Sequence, residues 1–365
     1  MDHHPRNVAA RRWWLAAVLL VLLALLAPPA AQAHERWFVE EEAAYPVDYG
    51  RLLSLPVLVG ALASAALVGA LALLRRLAGG DNLFPRLWFL SRFDPSAPVV
   101  IAIHTAIAVV YTAVHLRLLA VNLELPPGPA GYLLAGAQLA AAFFLVSGLW
   151  ARAGAALLVA LVLLTGALFG PLAMLEQSIF AGIGLYIALM GRGMVDLDNL
   201  MPPPHPLDRY RPLAPVLLRI FAGLSVAALA LSEKLLNPAL GVAFLHDYPH
   251  FNVARALGLS WFSDERFILA AGVVELAIGA ALIAGILPRL VIFAMFVPFN
   301  LTIPFLPATE LIGHLPIFAV MYVLVFHNPL LRVDAPEGPS VAETVGAEGA
   351  ASPAPQGEAT AARGR

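Results

Sequence analysis

The chain has 365 residues, of which 60% are hydrophobic and 13% charged, and its mean hydropathy is +0.81. A soluble globular chain carries roughly 25% charge, and here the apolar residues fall in blocks near the roughly 20 residues that cross a bilayer, so a soluble domain is excluded and an all-α polytopic membrane protein is expected. The formal net charge of −2, with no tract of Lys or Arg, gives no reason to expect nucleic acid as a partner, and the absence of cysteine excludes disulfides, thiol redox chemistry and cysteine-ligated iron–sulfur or metal centres within the chain.

Residues 1–33 read as a signal peptide or signal anchor. Arg11 and Arg12 precede the apolar run "WWLAAVLLVLLALLAPPA", which closes on "AQA" before His34. Cleavage after Ala33 would expose His34, whose α-amine and imidazole would form a nitrogen chelate suited to copper. The segment 34–50, "HERWFVEEEAAYPVDYG", reads as an amphipathic external collar with Trp37 and Phe38 at the membrane interface. Nine spans are then predicted, at roughly 52–74, 97–121, 130–150, 153–173, 176–191, 214–236, 267–287, 290–307 and 311–327. Residues 51–92 hold an extra transmembrane helix and its loop, and 193–213 form a linker. Residues 333–365, rich in Pro, Gly, Ala and Glu, cannot bury an apolar face and read as a disordered tail. Arginine falls in alternate loops (Arg75, Arg76, Arg86 and Arg92; Arg152; Arg192, Arg209, Arg211 and Arg219; Arg289), while "NLELPPGPA", "LEQS" and "PATE" carry none, and the long loop 237–266 is read as external despite Arg255 and Arg266. Positive residues stay cytoplasmic, so the expected placement is a bacterial plasma (inner) membrane with the C-terminus cytoplasmic and 34–50 outside.

The spans contain a duplication. "APVVIAIHTAIAVVYTAVHLRLLAVN" (97–122) aligns with "APVLLRIFAGLSVAALALSEKLLNP" (214–238), placing Arg117 on Lys234. "GLWAR" (148–152) falls on "GILPR" (285–289), which puts Gln138 on Glu275. "IFAGIGLY" (179–186) falls on "IFAVMYVL" (317–324), which puts Glu176 on His314. The expected architecture is one extra helix followed by two four-helix repeats, 93–192 and 214–332. Because four is even, the repeats are parallel, related by an axis along the membrane normal.

Lys234 is the single lysine among the 22 Lys and Arg residues. Ionisable groups inside spans are costly and usually face the bundle interior. Lys234 and Glu233 end the sixth span, Glu310 and His314 start the ninth one turn apart, and Glu275 lies at a similar depth in the seventh. All five are expected to converge in the outer half of the second bundle. A compact ammonium shifts its pKa where a guanidinium does not. Lys234, Glu275, Glu310 and His314 are therefore the catalytic candidates, and Lys234, Arg219, Glu275, Asn300 and His314 the ligand-binding ones. The alternative is that Lys234 pairs with Glu275 or Glu310 only to fix packing. Pro298, Pro304 and Pro307 interrupt the eighth span around Asn300 and Thr302, a pattern found both at binding sites and at packing kinks. His104 and His115 have the spacing of one helix face but no facing pair to complete a haem site. His246, Asp247 and His250 have the spacing of half a metal site.

"LRIFAGLSVAALALSEKLLNP", "AGVVELAIGAALIAGILPR" and "HLPIFAVMYVLV" together resemble the DoxX family of four-helix membrane proteins, on Arg219, Gly223, Lys234, Glu275, Gly285 and Arg289. The resemblance covers 214–327 and extends more weakly to 97–191. It implies a membrane subunit associated with a redox-enzyme partner, the family's name coming from the membrane part of a thiosulfate:quinone oxidoreductase, with Arg219, Lys234 and Glu275 lining a quinone pocket or docking a partner. Quinone is thus the cofactor expected. A small-anion transporter using Lys234 and a non-catalytic membrane scaffold are the alternatives.

Overall fold

The structure, a computed structural model, describes residues 35–39, 44–81, 93–192, 206–259 and 261–326. The signal segment, His34, the linker 193–205 and the tail therefore lie outside the described residues, as do Arg86 and Arg92. Among the described residues the chain is helical, and the one strand-like feature is an isolated bridge between Arg117 and Glu124.

The helices are α1 (Leu55–Ala78), α2 (Ala97–Val114), α3 (Pro129–Ser147), α4 (Ala151–Phe169), α5 (Pro171–Glu176), α6 (Ser178–Met190), α7 (Ala214–Leu229), α8 (Pro238–Asp247), α9 (Val253–Ala256), α10 (Asp264–Ala284), α11 (Pro288–Thr302) and α12 (Ala308–Phe326). Among the described residues, seven helical stretches are long and apolar enough to cross a membrane: α1, α2, α3, α4, the stretch Pro206–Leu235 around α7, α10 and α12. Ser178–Met190 and Pro288–Asn300 are shorter apolar helices. The chain is thus all-α with the make-up of a multi-pass membrane protein. Proline at the first or second position starts α1, α2, α3, α5, α7, α8 and α11, where its missing N–H costs nothing and its fixed φ suits the first turn.

Several predicted ends move. The second span stops at Val114, after which Leu116 and Leu119 take positive φ in a turn closed by Arg117 and Glu124, 2.8 Å apart. His115 therefore caps α2 instead of sharing its face with His104. Between the fourth and fifth predicted spans, Gly170 (φ 96°) breaks the chain and Pro171 starts the short α5. The predicted external loop 237–266 contains α8 and α9, with an aromatic cluster of Phe38, Phe244, Tyr248 and Phe251.

The core is a helical bundle in which α7 packs on both α6 and α10, α2 on both α3 and α12, and α1 covers α10. Small residues set the closest approaches. A Cβ on Gly223 would lie 2.6 Å from the Gly279 carbonyl, and one on Gly279 would lie 2.7 Å from the Gly223 carbonyl, so α7 and α10 touch backbone to backbone, as small-residue membrane interfaces do. Ser64 of α1 donates to the Val273 carbonyl of α10 at 2.9 Å.

At one end of the bundle, arginines cap helices. The C-terminal carbonyls of four helices meet guanidinium groups there. Arg192 Nε donates to the Leu145 carbonyl at 2.7 Å, Arg152 Nε to Ala188 at 3.0 Å and Arg289 Nε to Val325 at 3.1 Å, and Arg219 Nη1 donates to Leu282 and, at 3.0 Å, to Ile283. A cation placed on these carbonyls satisfies acceptors the helix itself leaves open and complements its dipole. Two turns at this end are alike. Gly148 (φ 70°) and Trp150 (φ 51°) precede Arg152, and Gly285 (φ 68°) and Leu287 (φ 47°) precede Arg289.

Candidate functional site

The opposite end holds the lysine. Before reaching it, α7 widens into a π-helical turn, Ala230–Leu235, closed by Leu236 N–H donating to the Leu231 carbonyl at 2.8 Å. Wider turns of this kind often occur at functional sites. Here Ser232, Glu233, Lys234 and Leu235 are all buried in succession. Across from this turn, α10 brings Gly272 against it. A Cβ on Gly272 would lie 2.9 Å from Lys234 Cβ. Glu275 follows one turn later on the same face of α10, and its Oε2 lies 3.2 Å from Lys234 Nζ.

The second partner of the ammonium comes from outside the bundle. Glu35, in a short 3-10 turn Glu35–Trp37, places Oε2 3.0 Å from Lys234 Nζ. The collar reading is corrected here. Its first acid lies inside the protein, fully buried, with the Lys234 ammonium as its ion-pair partner. Arg36 lies 3.8 Å from Glu233 and 3.5 Å from Glu176. Glu176, at the end of α5, also accepts from Ser232 Oγ at 2.5 Å, and its carbonyl accepts from Ser225 Oγ at 2.5 Å. Trp37 donates from Nε1 to Asn122 at 3.3 Å and leans over Gly313, where any Cβ would lie 2.2 Å from its ring.

Glu35 and Glu275 each keep a buried oxygen, Oε1, that accepts no hydrogen bond from an N–H or hydroxyl of the described residues. Burial pushes the Glu35 carboxyl well above the ordinary carboxylate range, with the Lys234 ammonium pulling the other way and Glu233 adding to the rise.

The remaining predicted residues divide between this cluster and other places. Glu310 and His314 pair with each other on α12, with Nδ1 to Oε1 at 3.1 Å, and both are buried. The His314 ring lies 5.8 Å from Trp37, 4.6 Å from Phe299 and 6.3 Å from Phe318. Trp37, Glu176, Ser225, Thr112 and His314 line a cavity of about 60 Å³ between α2, α7 and α12, which is room for a few waters. Arg219 is not near Lys234. It caps α10 at the other end of α7, fifteen residues or about 22 Å away along the helix. Asn300 donates to the Phe296 carbonyl at 2.7 Å and, with His104, lines a separate apolar groove of about 680 Å³ between α2, α11 and α12. Phe318 belongs to that groove, so one aromatic layer separates it from His314.

Neither histidine pair forms a site. His104 and His115 bond the carbonyls four residues back, at 2.9 and 2.7 Å. His246 is exposed beside Asp247, while His250 stacks on Phe251 at 4.3 Å. Among the described residues no group of three or more His, Asp or Glu is placed to hold a metal.

Glu35, Arg36 and Trp37 are the residues the sequence reading placed elsewhere. The available signal was a charge imbalance: the acids predicted near a solitary ammonium outnumber it, so a nearby charged segment such as "ERW" was an available partner. No known protein family, no curated protein and no solved structure matches the chain.

Proposed function

We propose that this chain is the membrane component of a redox complex, similar in its second half to DoxX proteins, which holds a lipid quinone in the groove between α2, α11 and α12 and exchanges protons with it through Glu310 and His314. The observation that carries this reading is the position of His314. His314 lines the polar cavity beside Glu176 and Trp37, and its ring is 6.3 Å, edge-on, from Phe318, a wall of the apolar groove of about 680 Å³. Ligand sites are typically concave and apolar, with few polar groups fixing orientation, and His104 and Asn300 are the polar groups on that lining.

The duplication belongs to the same proposal. The like turns before Arg152 and Arg289 support it. So do the pairings of Gln138 with the Arg117 carbonyl at 2.8 Å and of Glu275 with Lys234 at 3.2 Å, at aligned positions. The last helix of each proposed half packs on the first helix of the other, α6 on α7 and α12 on α2. The arginine-rich end is then the cytoplasmic one, with the lysine beneath the external face. A small anion fits Lys234 less well, because two carboxylates already hold the ammonium. A purely structural scaffold is the other reading, and it predicts no ligand.

Extraction of the detergent-purified protein with organic solvent tests the proposal. The expected result is an isoprenoid quinone near one per chain, with occupancy reduced by Leu315→Trp, which fills the groove. Absence of quinone, together with no thermal stabilisation by an added short-chain quinone, would overturn it.

A further inference from the structure

We infer that the Lys234 cluster is a proton-binding site, holding one exchangeable proton among the carboxyls of Glu35, Glu233 and Glu275. This deepens the proton-handling part of the function proposed above and requires no quinone.

The geometry leads there by charge and by hydrogen bonding. Lys234 is 1% exposed, and Glu35 and Glu275 are 0% and 5% exposed. Two carboxylates on one buried ammonium leave a net negative charge away from water. An uncompensated buried charge is neutralised by taking up a proton where one is available. The two free Oε1 atoms say the same in local terms. Each is a buried acceptor with no N–H or hydroxyl reaching it from the described residues, and such an atom is rare unless something supplies a hydrogen. Glu233, beside Lys234 in the π turn and buried, adds a third carboxyl to this neighbourhood. The raised affinity of Glu35 for a proton agrees with this.

The charged and titratable groups around the proton come from every packed element. The N-terminal turn brings Glu35 and Arg36, the π turn Glu233 and Lys234, α5 Glu176, and α10 Glu275. Beyond Trp37 stand Glu310 and His314 of α12, across a cavity with room for a few waters. Glu35 is a positioning and proton-sharing residue carried by a segment outside the bundle helices, so the site is complete only when residues 35–37 are seated.

Infrared spectroscopy of the full-length detergent-solubilised protein tests this through the carbonyl stretch of a protonated carboxylic acid. The wild type is expected to show such a band at neutral pH. It should shift in D2O and bleach as pH rises, because a carboxyl with raised affinity keeps its proton in acid and releases it on the alkaline side. Glu35→Gln and Glu275→Gln should each remove or move part of the band. Glu35→Gln, which alters a peripheral turn, keeps the test decisive where Glu275→Gln does not fold. No band at neutral pH would overturn the inference, as would a band that neither substitution changes, or one that sodium ions abolish at constant pH. Quinone content measured on the same samples separates the two proposals: a proton band without quinone sinks only the redox reading, and quinone without the band sinks only this one.

Discussion

At the scale of single residues, the chain uses its two basic side chains for different physics. Four arginines reach open carbonyls with a planar fork, at the ends of α3, α6, α10 and α12, while Arg36 and Arg117 pair with carboxylates. The solitary ammonium lies between two carboxylates, on a side chain whose Cβ packs against Gly272. A compact ammonium can meet both carboxylates from one atom, where a guanidinium would present a wider planar fork. Removing the cation while keeping its partners is the costly change, because it strands buried negative charge. Lys234→Met is expected to lower stability by about 3–5 kcal/mol, read as a drop in unfolding midpoint in detergent. Lys234→Met combined with Glu275→Gln should recover part of the loss, and a single variant as stable as the wild type would contradict the assigned burial. Arg219 shows the limit of reading roles from charge alone. Its sequence position matched a ligand-lining role, but depth along α7 separates it from Lys234, and depth follows from where a helix starts in the membrane.

At the scale of elements, the site depends on how closely α10 approaches α7. Gly223 and Gly279 meet backbone to backbone, and Gly272, one face up α10, lets the π turn bring Lys234 within reach of Glu275. Gly279→Leu is expected to destabilise by about 1–3 kcal/mol, as overpacking does in a close-packed interior. It should also raise the solvent accessibility of a reporter cysteine at Ser232, in a chain that has no other cysteine; unchanged stability and labelling would contradict the contact. The helices themselves were legible in the sequence because apolar blocks, Ala-Pro starts and glycine stops are local signals. The π turn was not, since nothing in "ALSEKL" breaks helical periodicity; the extra residue per turn is selected by tertiary partners. The end of α2 at Val114 was overrun for the same reason. "HLRLLAVN" is apolar enough to continue a span, and the turn that ends it is held by Gln138 accepting from Leu119 N–H at 2.9 Å from another helix.

At the scale of the whole molecule, α7 and α10 supply Lys234 and Glu275, α5 supplies Glu176, α12 supplies His314, and the chain before α1 supplies Glu35. The convergence of Lys234 with Glu275 and the pairing of Glu310 with His314 were readable from depth and helical spacing. The return of residue 35 to residue 234 was not, because a 199-residue separation leaves no local trace and an acid in a polar segment reads as solvated. That return ties the N-terminal segment to the proposed site. The most direct test is a double-mutant cycle between Glu35→Gln and Lys234→Met, followed by unfolding of the full chain in detergent. The predicted coupling is about 0.5–3 kcal/mol, the range of residues in direct contact. Strictly additive effects would place Glu35 away from the ammonium and contradict the account.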